Sequence, residues 1–154
     1  MVSDALGLLL EDIGKILNIP HLAPDANHSC LIKFPKGPPI QIEIDKSGNY
    51  LMIGCDLGEI PVGPYRENVF REALKANGQP YPHAAEFAYS KQSNKLVITR
   101  YLILQSLRGE TVIEALTPFQ ALADQWHEAL TRGDIPISLE GAYQSSGTKM
   151  FGMK

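Results

Sequence analysis

The sequence contains few cysteines, no long apolar run and no basic leader. Its two cysteines, Cys30 and Cys55, are too few for a disulfide framework, and both fall in apolar strand-like runs, so we expect buried free thiols. No apolar stretch approaches the roughly 20 residues that cross a bilayer. The start, Met1-Val2-Ser3-Asp4, lacks the basic region of a secretory signal. These features predict a soluble, intracellular protein.

The sequence also lacks a large excess of positive or negative charge. Fourteen Lys and Arg against 17 Asp and Glu give a net charge of −3 and a pI near 5.8, whereas phosphate backbones and anionic lipids require clustered positive charge. Lys91, Lys95 and Arg100 lie near Tyr89 and Tyr101 on one predicted hairpin, but lysines on a hairpin more often protect a sheet edge. We therefore expect no nucleic-acid partner and no membrane insertion.

The sequence also lacks the common catalytic motifs. Neither G-x-x-x-x-G-K nor G-x-G-x-x-G occurs. His21, His28 and Cys30 come nearest to a metal set, but their spacing differs from the paired spacing of zinc sites. Glu43 and Asp45 share a strand face, where carboxylates are usually just solvated. We predict no catalytic residue, no metal and no cofactor; an undetected small-molecule enzyme stays open and would show a concave pocket with clustered titratable groups.

What the sequence does contain is a periodic apolar pattern over a chain long enough for one core, with 44% hydrophobic residues in 154. Alternation and helical spacing predict eight elements. These are helices over 4–18, 65–77 and 118–132 and strands over 29–34, 40–45, 50–55, 84–89 and 96–104. The order α-β-β-β-α-β-β-α has runs of strands that do not alternate with helices. It favours an α+β fold, an antiparallel twisted sheet with three helices beside it.

The last helix is predicted to begin anew at Pro118. Thr117 would cap it, Pro118 would take its first position and Gln120 would reach back, after a short turn over 110–116. Gly133 would end it. The apolar pattern then fades, so we expect one domain over residues 1–139 and a flexible tail over 140–154.

Some apolar surface exceeds what one core needs. Leu8 lies outside the main stripe of the first helix, and the strand over 96–104 is apolar on both faces. An element that is apolar on two sides has to be covered by a partner or a second copy unless the core uses all of it.

Several stretches together resemble a known family. They are residues 9–25 (LLEDIGKILNIPHLAPD), 30–34, 40–45, 50–61 (YLMIGCDLGEIP), 69–77 (VFREALKAN), 95–104 and 119–130 (FQALADQWHEAL). In this order they resemble the Tir-chaperone family, the class I chaperones of bacterial type III secretion. Pro118 and the glycine-containing stretch after residue 141 depart from the family pattern.

The resemblance implies a non-catalytic homodimer in the bacterial cytoplasm. Such a chaperone holds the N-terminal chaperone-binding segment of a secreted effector in extended form, keeps it secretion-competent and passes it to the secretion ATPase. Carried onto this chain, the dimer interface comprises Val69, Phe70, Ala73, Leu74, Phe87 and Tyr89. The effector-binding residues are Leu9, Ile13, Leu17, Leu31, Ile32, Phe34 and Ile42. The alternative is a small non-enzymatic adaptor or regulatory dimer that binds a folded protein.

Overall fold

A computed structural model of the chain describes residues 2–80 and 83–136. Its elements follow the order expected from the sequence. They are α1 (Val2–Leu17), β1 (Ser29–Ile32), β2 (Ile40–Ile44), β3 (Tyr50–Glu59), α2 (Pro64–Asn77), β4 (Glu86–Ser90), β5 (Lys95–Ile103) and α3 (Gly109–Arg132). The α+β fold class is confirmed. The predicted flexible tail, residues 140–154, lies outside the described residues.

The five strands form one antiparallel sheet in the order β1-β2-β3-β5-β4. β3 lies at its centre and pairs with β5 along nearly its full length, with a bulge between Asp56 and Gly58. β1 and β4 are the two edges of the sheet. Because side chains alternate along a strand, each strand sends one set of residues toward the helices and the other set to the opposite face.

The core lies between the helices and one face of the sheet, which we call the inner face. Leu51, Ile53 and Leu57 of β3 point into it, and Phe119 and Trp126 of α3 pack there with no exposed surface. The stripe of α1 that spacing predicted also contributes: Leu6, Leu10 and Ile13 are buried. The outer face of the sheet carries the other set and remains uncovered by the described helices.

α3 runs without a break through Pro118, so the predicted restart at that residue is wrong. The Thr117 hydroxyl does not cap a new helix; it donates to the Ile113 carbonyl one turn earlier (3.0 Å). The Gln120 amide does not reach back either, but donates to the Lys36 carbonyl (2.7 Å). Pro118 is exposed, while Leu116 and Phe119 on either side are buried. Packing of the apolar stripe therefore outweighs the local cost of proline. Gly133 ends the helix in the left-handed conformation, as predicted.

Both cysteines are free and buried, which confirms the expectation from the sequence. Burial raises the pKa of the Cys55 thiol to about 12, and it also raises the pKa of Cys30. Because the thiolate is the reactive form, neither side chain suits nucleophilic chemistry.

Candidate interaction surfaces

A groove of about 790 Å³ runs between α1 and the segment that follows it. Gly14 shapes it, and Gly7, one heptad earlier, lies in its lining. A Cβ on Gly14 would come within 2.8 Å of the Ile19 carbonyl oxygen, so only glycine lets residues 19–24 turn back against the helix. Gly14 O also accepts from Ile19 N at 2.8 Å. The groove is lined by Gly7, Leu8, Leu10, Glu11, Gly14, Lys15, Ile19, His21, Leu22, Ala23 and Pro24.

The chemistry of this α1 groove is apolar in the middle and charged at one rim. Leu8 is 67% exposed beside it. Glu11 and Lys15 pair across one helical turn at 3.7 Å, and both are well exposed, so this pair contributes little to stability. An apolar side chain of a partner fits such a groove, with either sign of charge able to meet the rim.

A second groove, of about 150 Å³, lies between α2 and the edge strand β4. Five of the six residues predicted for the dimer interface line it, while Val69 faces the opposite way and is fully buried in the core. Leu74 is 70% exposed at its rim. The lining residues are Phe70, Ala73, Leu74, Asn77, Phe87, Ala88, Tyr89 and Leu96.

One arginine holds the aromatic wall of this α2–β4 groove. Arg66 donates to the Ile60 carbonyl (2.6 Å from Nη2) and to the Asn94 amide oxygen, which also accepts from the Tyr89 hydroxyl. Its guanidinium lies 5.3 Å from the ring centre of Tyr89 and 6.0 Å from that of Phe70. The two rings meet edge to face at 5.2 Å. Stacking and hydrogen bonds thus fix both rings before any partner arrives.

The residues predicted to bind effector divide into two sets. Leu31 points to the outer face and is 54% exposed, and Leu17 and Phe34 are partly buried against the core. The other four, Leu9, Ile13, Ile32 and Ile42, are buried in the core. The alternation of β1 and β2 and the stripe of α1 turn these four inward, so in this fold they present almost no surface to a partner and we assign them to the core.

The residues that form the α1 groove are not among those predicted from the sequence to bind a partner. The glycine at position 14 is the one readable signal of close packing in this groove, because a Cβ there would meet the Ile19 carbonyl oxygen at 2.8 Å. Leu8 was noted only as an apolar residue outside the main stripe. Whether a chain turns back over such a glycine depends on contacts distant in sequence, which spacing does not reveal.

Two other kinds of site are not present in the part of the chain that the structure describes. Over residues 2–80 and 83–136, no three His, Cys, Asp or Glu side chains lie close enough together to hold a metal ion. Within the same part of the chain, no helix has both the length and the apolar character needed to cross a bilayer.

Known structures share this fold. One is the Yersinia pestis type III secretion chaperone SycH in complex with a stable fragment of YscM2, with 13% identity, 77% of this chain and 96% of that chain covered, and a TM-score of 0.61. The ExsC–ExsE complex matches with 14% identity, 87% and 96% coverage and a TM-score of 0.63. The ExoT–SpcS complex from Pseudomonas aeruginosa matches with 12% identity, 77% and 94% coverage and a TM-score of 0.59. At these identities the likeness establishes the fold.

The amino-acid sequence identifies the family to which this fold belongs. No curated protein matches the chain, but residues 8–127 match the family described as "Tir chaperone protein (CesT) family". That match covers well over half of the 154 residues, and it confirms the resemblance found in the sequence. The chain belongs to the Tir chaperone protein (CesT) family.

Proposed function

We propose that this protein is a cytoplasmic type III secretion chaperone of a bacterium, which binds the N-terminal segment of one or more effectors in extended form and keeps them competent for secretion. The observation that carries the proposal is the family match over residues 8–127. The protein acts by binding rather than by catalysis, and it presents its client to the secretion ATPase. Its buried, high-pKa thiols agree with a role that involves no nucleophile.

The α2–β4 groove supports a homodimer built on this surface. It joins a preset aromatic wall to an exposed aliphatic side chain, Leu74, on the same helix face. In a two-fold arrangement the same patch meets itself, so Leu74 of each copy can enter the groove of the other. A dimer doubles the surface on which an extended client can lie.

The β1 edge and the α1 groove support client binding. An added strand gains main-chain hydrogen bonds along an open sheet edge, while its alternate side chains enter apolar pockets. Leu31 is the exposed apolar residue on that edge strand. Ordering a disordered client costs conformational entropy, so affinity has to come from a long contact surface rather than from one pocket.

Purification of the tagged protein from its native host, followed by limited proteolysis and mass spectrometry of whatever copurifies, tests the proposal. We expect one or a few proteins, each protected only over an N-terminal segment. A partner protected throughout as a compact fold would instead favour the adaptor. Repeating the purification with Leu31→Asp, and with Val62→Asp as a control at an exposed loop position, separates binding at the β1 edge from adventitious capture.

A further inference from the structure

The pairing of β2 determines which main-chain groups of β1 face the open edge of the sheet. Asp45 N donates to the Tyr50 carbonyl oxygen at 2.9 Å, at the turn that joins β2 to β3. Main-chain groups point to alternate sides along a strand of an antiparallel sheet, so the odd-numbered residues of β2 bond to β3 as Asp45 does. The main-chain groups of Ile40 and Ile42 therefore point toward β1.

The four residues of β1 accordingly divide into two pairs. Cys30 and Ile32 lie opposite the two isoleucines of β2 that point toward β1, so their main-chain groups bond to β2. Ser29 and Leu31 alternate with them and turn their N–H and C=O groups away from β2. Because β1 is an edge strand, no strand of the described chain lies beside these outward groups.

The outward groups of Ser29 are already bonded, to a turn of the chain that precedes β1. Asp25 N donates to the Ser29 carbonyl oxygen at 2.8 Å, and Ser29 N donates to Asp25 Oδ1 at 3.1 Å. Asp25 thus exchanges two hydrogen bonds with Ser29, as a residue on an added strand would, although one of the two uses its side chain. We call residues 25–29 the Asp25 turn.

Further contacts hold the Asp25 turn closed. The carboxylate also accepts from Asn27 N at 2.8 Å, and the Asp25 carbonyl oxygen accepts from His28 N at 3.0 Å. The Ser29 and Asn27 amides lower the pKa of the Asp25 carboxyl below its ordinary value, so it accepts these bonds as a carboxylate at neutral pH. Ser29 itself is buried. The turn therefore covers the sheet edge at this residue.

Leu31 is the open position of β1. Within residues 2–80 and 83–136, no hydrogen bond satisfies the N–H and C=O groups that it turns to the edge. Its side chain is exposed on the outer face, and Lys33, two residues farther along the chain, is exposed as well. An extended segment can therefore approach the edge from Lys33 up to Leu31, but not at Ser29.

We propose that Asp25 is a positioning residue for strand addition at β1: the Asp25 turn closes the edge at Ser29, so an extended segment of another chain pairs with the Leu31 main chain and ends there. Blocking part of an edge is a common way for a sheet to limit its pairing with other chains. Within β1 only Ser29 and Leu31 face the edge, so a ladder between the β1 strands of two copies needs both residues. The turn thus prevents pairing of two β1 strands while it leaves Leu31 open to an added strand.

The source of the added strand is a separate question. That a client supplies it rests on the proposed function, whereas the closed position at Ser29 is a property of this chain alone. A second copy of the chain can supply a strand once the Asp25 turn is opened, so the experiments below need no client. Their failure would leave the proposed function unaffected, and the two proposals can therefore fail separately.

Amide hydrogen exchange, measured by NMR on the full-length protein, tests the geometry of the edge. The Ser29 and Cys30 amides should exchange slowly, and the Leu31 amide should exchange faster by about tenfold or more, because its N–H lacks a partner. Asp25→Ala should bring the Ser29 amide to the rate of Leu31. Asp25→Asn should keep Ser29 protected, since an amide oxygen accepts the same bonds in such a turn. A Leu31 amide as slow as that of Cys30, or a Ser29 amide that stays slow in Asp25→Ala, would overturn the proposal.

The association of the chain in solution tests the positioning role itself. Asp25→Ala frees the second outward position of β1, so its mass by light scattering should rise above that of the native protein as the concentration increases. Adding Leu31→Pro to this variant should return the mass to the native value, because proline removes the outward N–H and is tolerated on an edge strand. A turn that only stabilised the fold would produce neither result.

Asp45→Ala is the matched control. The Asp45 carboxylate also holds a turn, since it accepts from Tyr50 N at 3.2 Å and from the Ser47 hydroxyl at 2.8 Å, but that turn joins β2 and β3, which have partner strands on both sides. This variant should lose stability without a change in mass. The proposal would be contradicted by an Asp25→Ala protein of native mass at every concentration, by association that survives Leu31→Pro, or by equal association of Asp45→Ala.

Discussion

Asn77, the last residue of α2, pairs with Phe87 of β4 as a neighbouring strand would. Its Nδ2 donates to the Phe87 carbonyl at 3.0 Å, and Phe87 N donates to Asn77 Oδ1 at 2.8 Å. Through this pair of bonds, a side-chain amide satisfies main-chain groups on an edge strand of the sheet. It also fixes the distance between α2 and β4, the two walls of the proposed dimer surface.

Asn77→Ala should therefore lower the free energy of unfolding by about 2 kcal/mol, since it leaves two partly buried main-chain groups without their partner. Urea denaturation followed by the fluorescence of Trp126, the single and buried tryptophan, measures the change. Asn68→Ala, an exposed position on the same helix, should change stability by less than about 0.5 kcal/mol. Equal effects of the two substitutions would show that the two hydrogen bonds between Asn77 and Phe87 contribute nothing to stability.

Leu74→Asp should give a folded monomer. Leu74 is exposed at the rim of the α2–β4 groove, so a carboxylate there costs little in one chain but is buried without a partner in a dimer. Light scattering gives the mass, and circular dichroism checks the fold. Val69→Asp, by contrast, should unfold the chain, because Val69 is in the core. A Leu74→Asp protein that remains dimeric would place the interface elsewhere.

Neighbouring residues of β1 should respond in opposite ways to the same substitution. Leu31→Asp should keep the fold and weaken client binding at least tenfold, since Leu31 is exposed on the outer face. Ile32→Asp should lose the fold itself, because its side chain is 1% exposed in the core. Thermal denaturation by circular dichroism and binding of the copurified client's N-terminal peptide separate the two results. A stably folded Ile32→Asp protein would refute the assignment of this residue to the core.

His83 should make stability depend on pH. Its Nε2 contacts the Gln79 carbonyl and its Nδ1 contacts the Glu86 carboxylate; since both partners accept, the charged ring is favoured. The hydrogen bond to the Gln79 carbonyl has the largest effect and the contact with Glu86 the next, and together they raise the pKa of His83 above its ordinary 6.5. A histidine whose pKa is higher in the folded state contributes its full stabilisation of the fold below pH 6.5. That contribution is lost as the pH rises through the raised pKa.

Urea denaturation at a series of pH values from 5.5 to about 9 tests this coupling. We expect the stability of the native protein to fall with rising pH relative to that of His83→Gln, in which the titrating ring is absent. Histidine NMR titration should find the His83 transition above 6.5. Parallel pH profiles for the two proteins would show that the linkage is absent.

Pro118→Ala should stabilise the protein by about 1–3 kcal/mol. Proline inside a helix removes one hydrogen bond and crowds the preceding turn. Pro118 is exposed, so alanine removes no core contact. Part of the gain is offset by the greater freedom of the unfolded chain. Thermal melting measures the shift, and Thr111→Ala, at another exposed position of α3, serves as the control. Unchanged or lower stability would mean that the proline is accommodated without strain.

The order of elements could be predicted because each carries its own period. Strict alternation in Ile40–Ile44 and the spacing of Leu6, Leu10 and Ile13 identify a strand and a helix locally. The continuous α3 could not be predicted, since the signal around Thr117 and Pro118 is that of a helix start. Packing of Phe119 and Trp126 against the sheet decides that case, and such contacts are not encoded in neighbouring residues.

Which apolar residues are exposed also depends more on packing than on local sequence. Composition and periodicity indicate more apolar residues than one core needs, and several local stretches together indicate the family. That Leu31 and Leu74 face solvent whereas Ile32 and Val69 do not follows from how the elements pack in the folded chain. Period two and period 3.6 divide each element into two faces, but which face is covered depends on the layer packed against it. That layer comes from segments far away in sequence, as α3 does for β3.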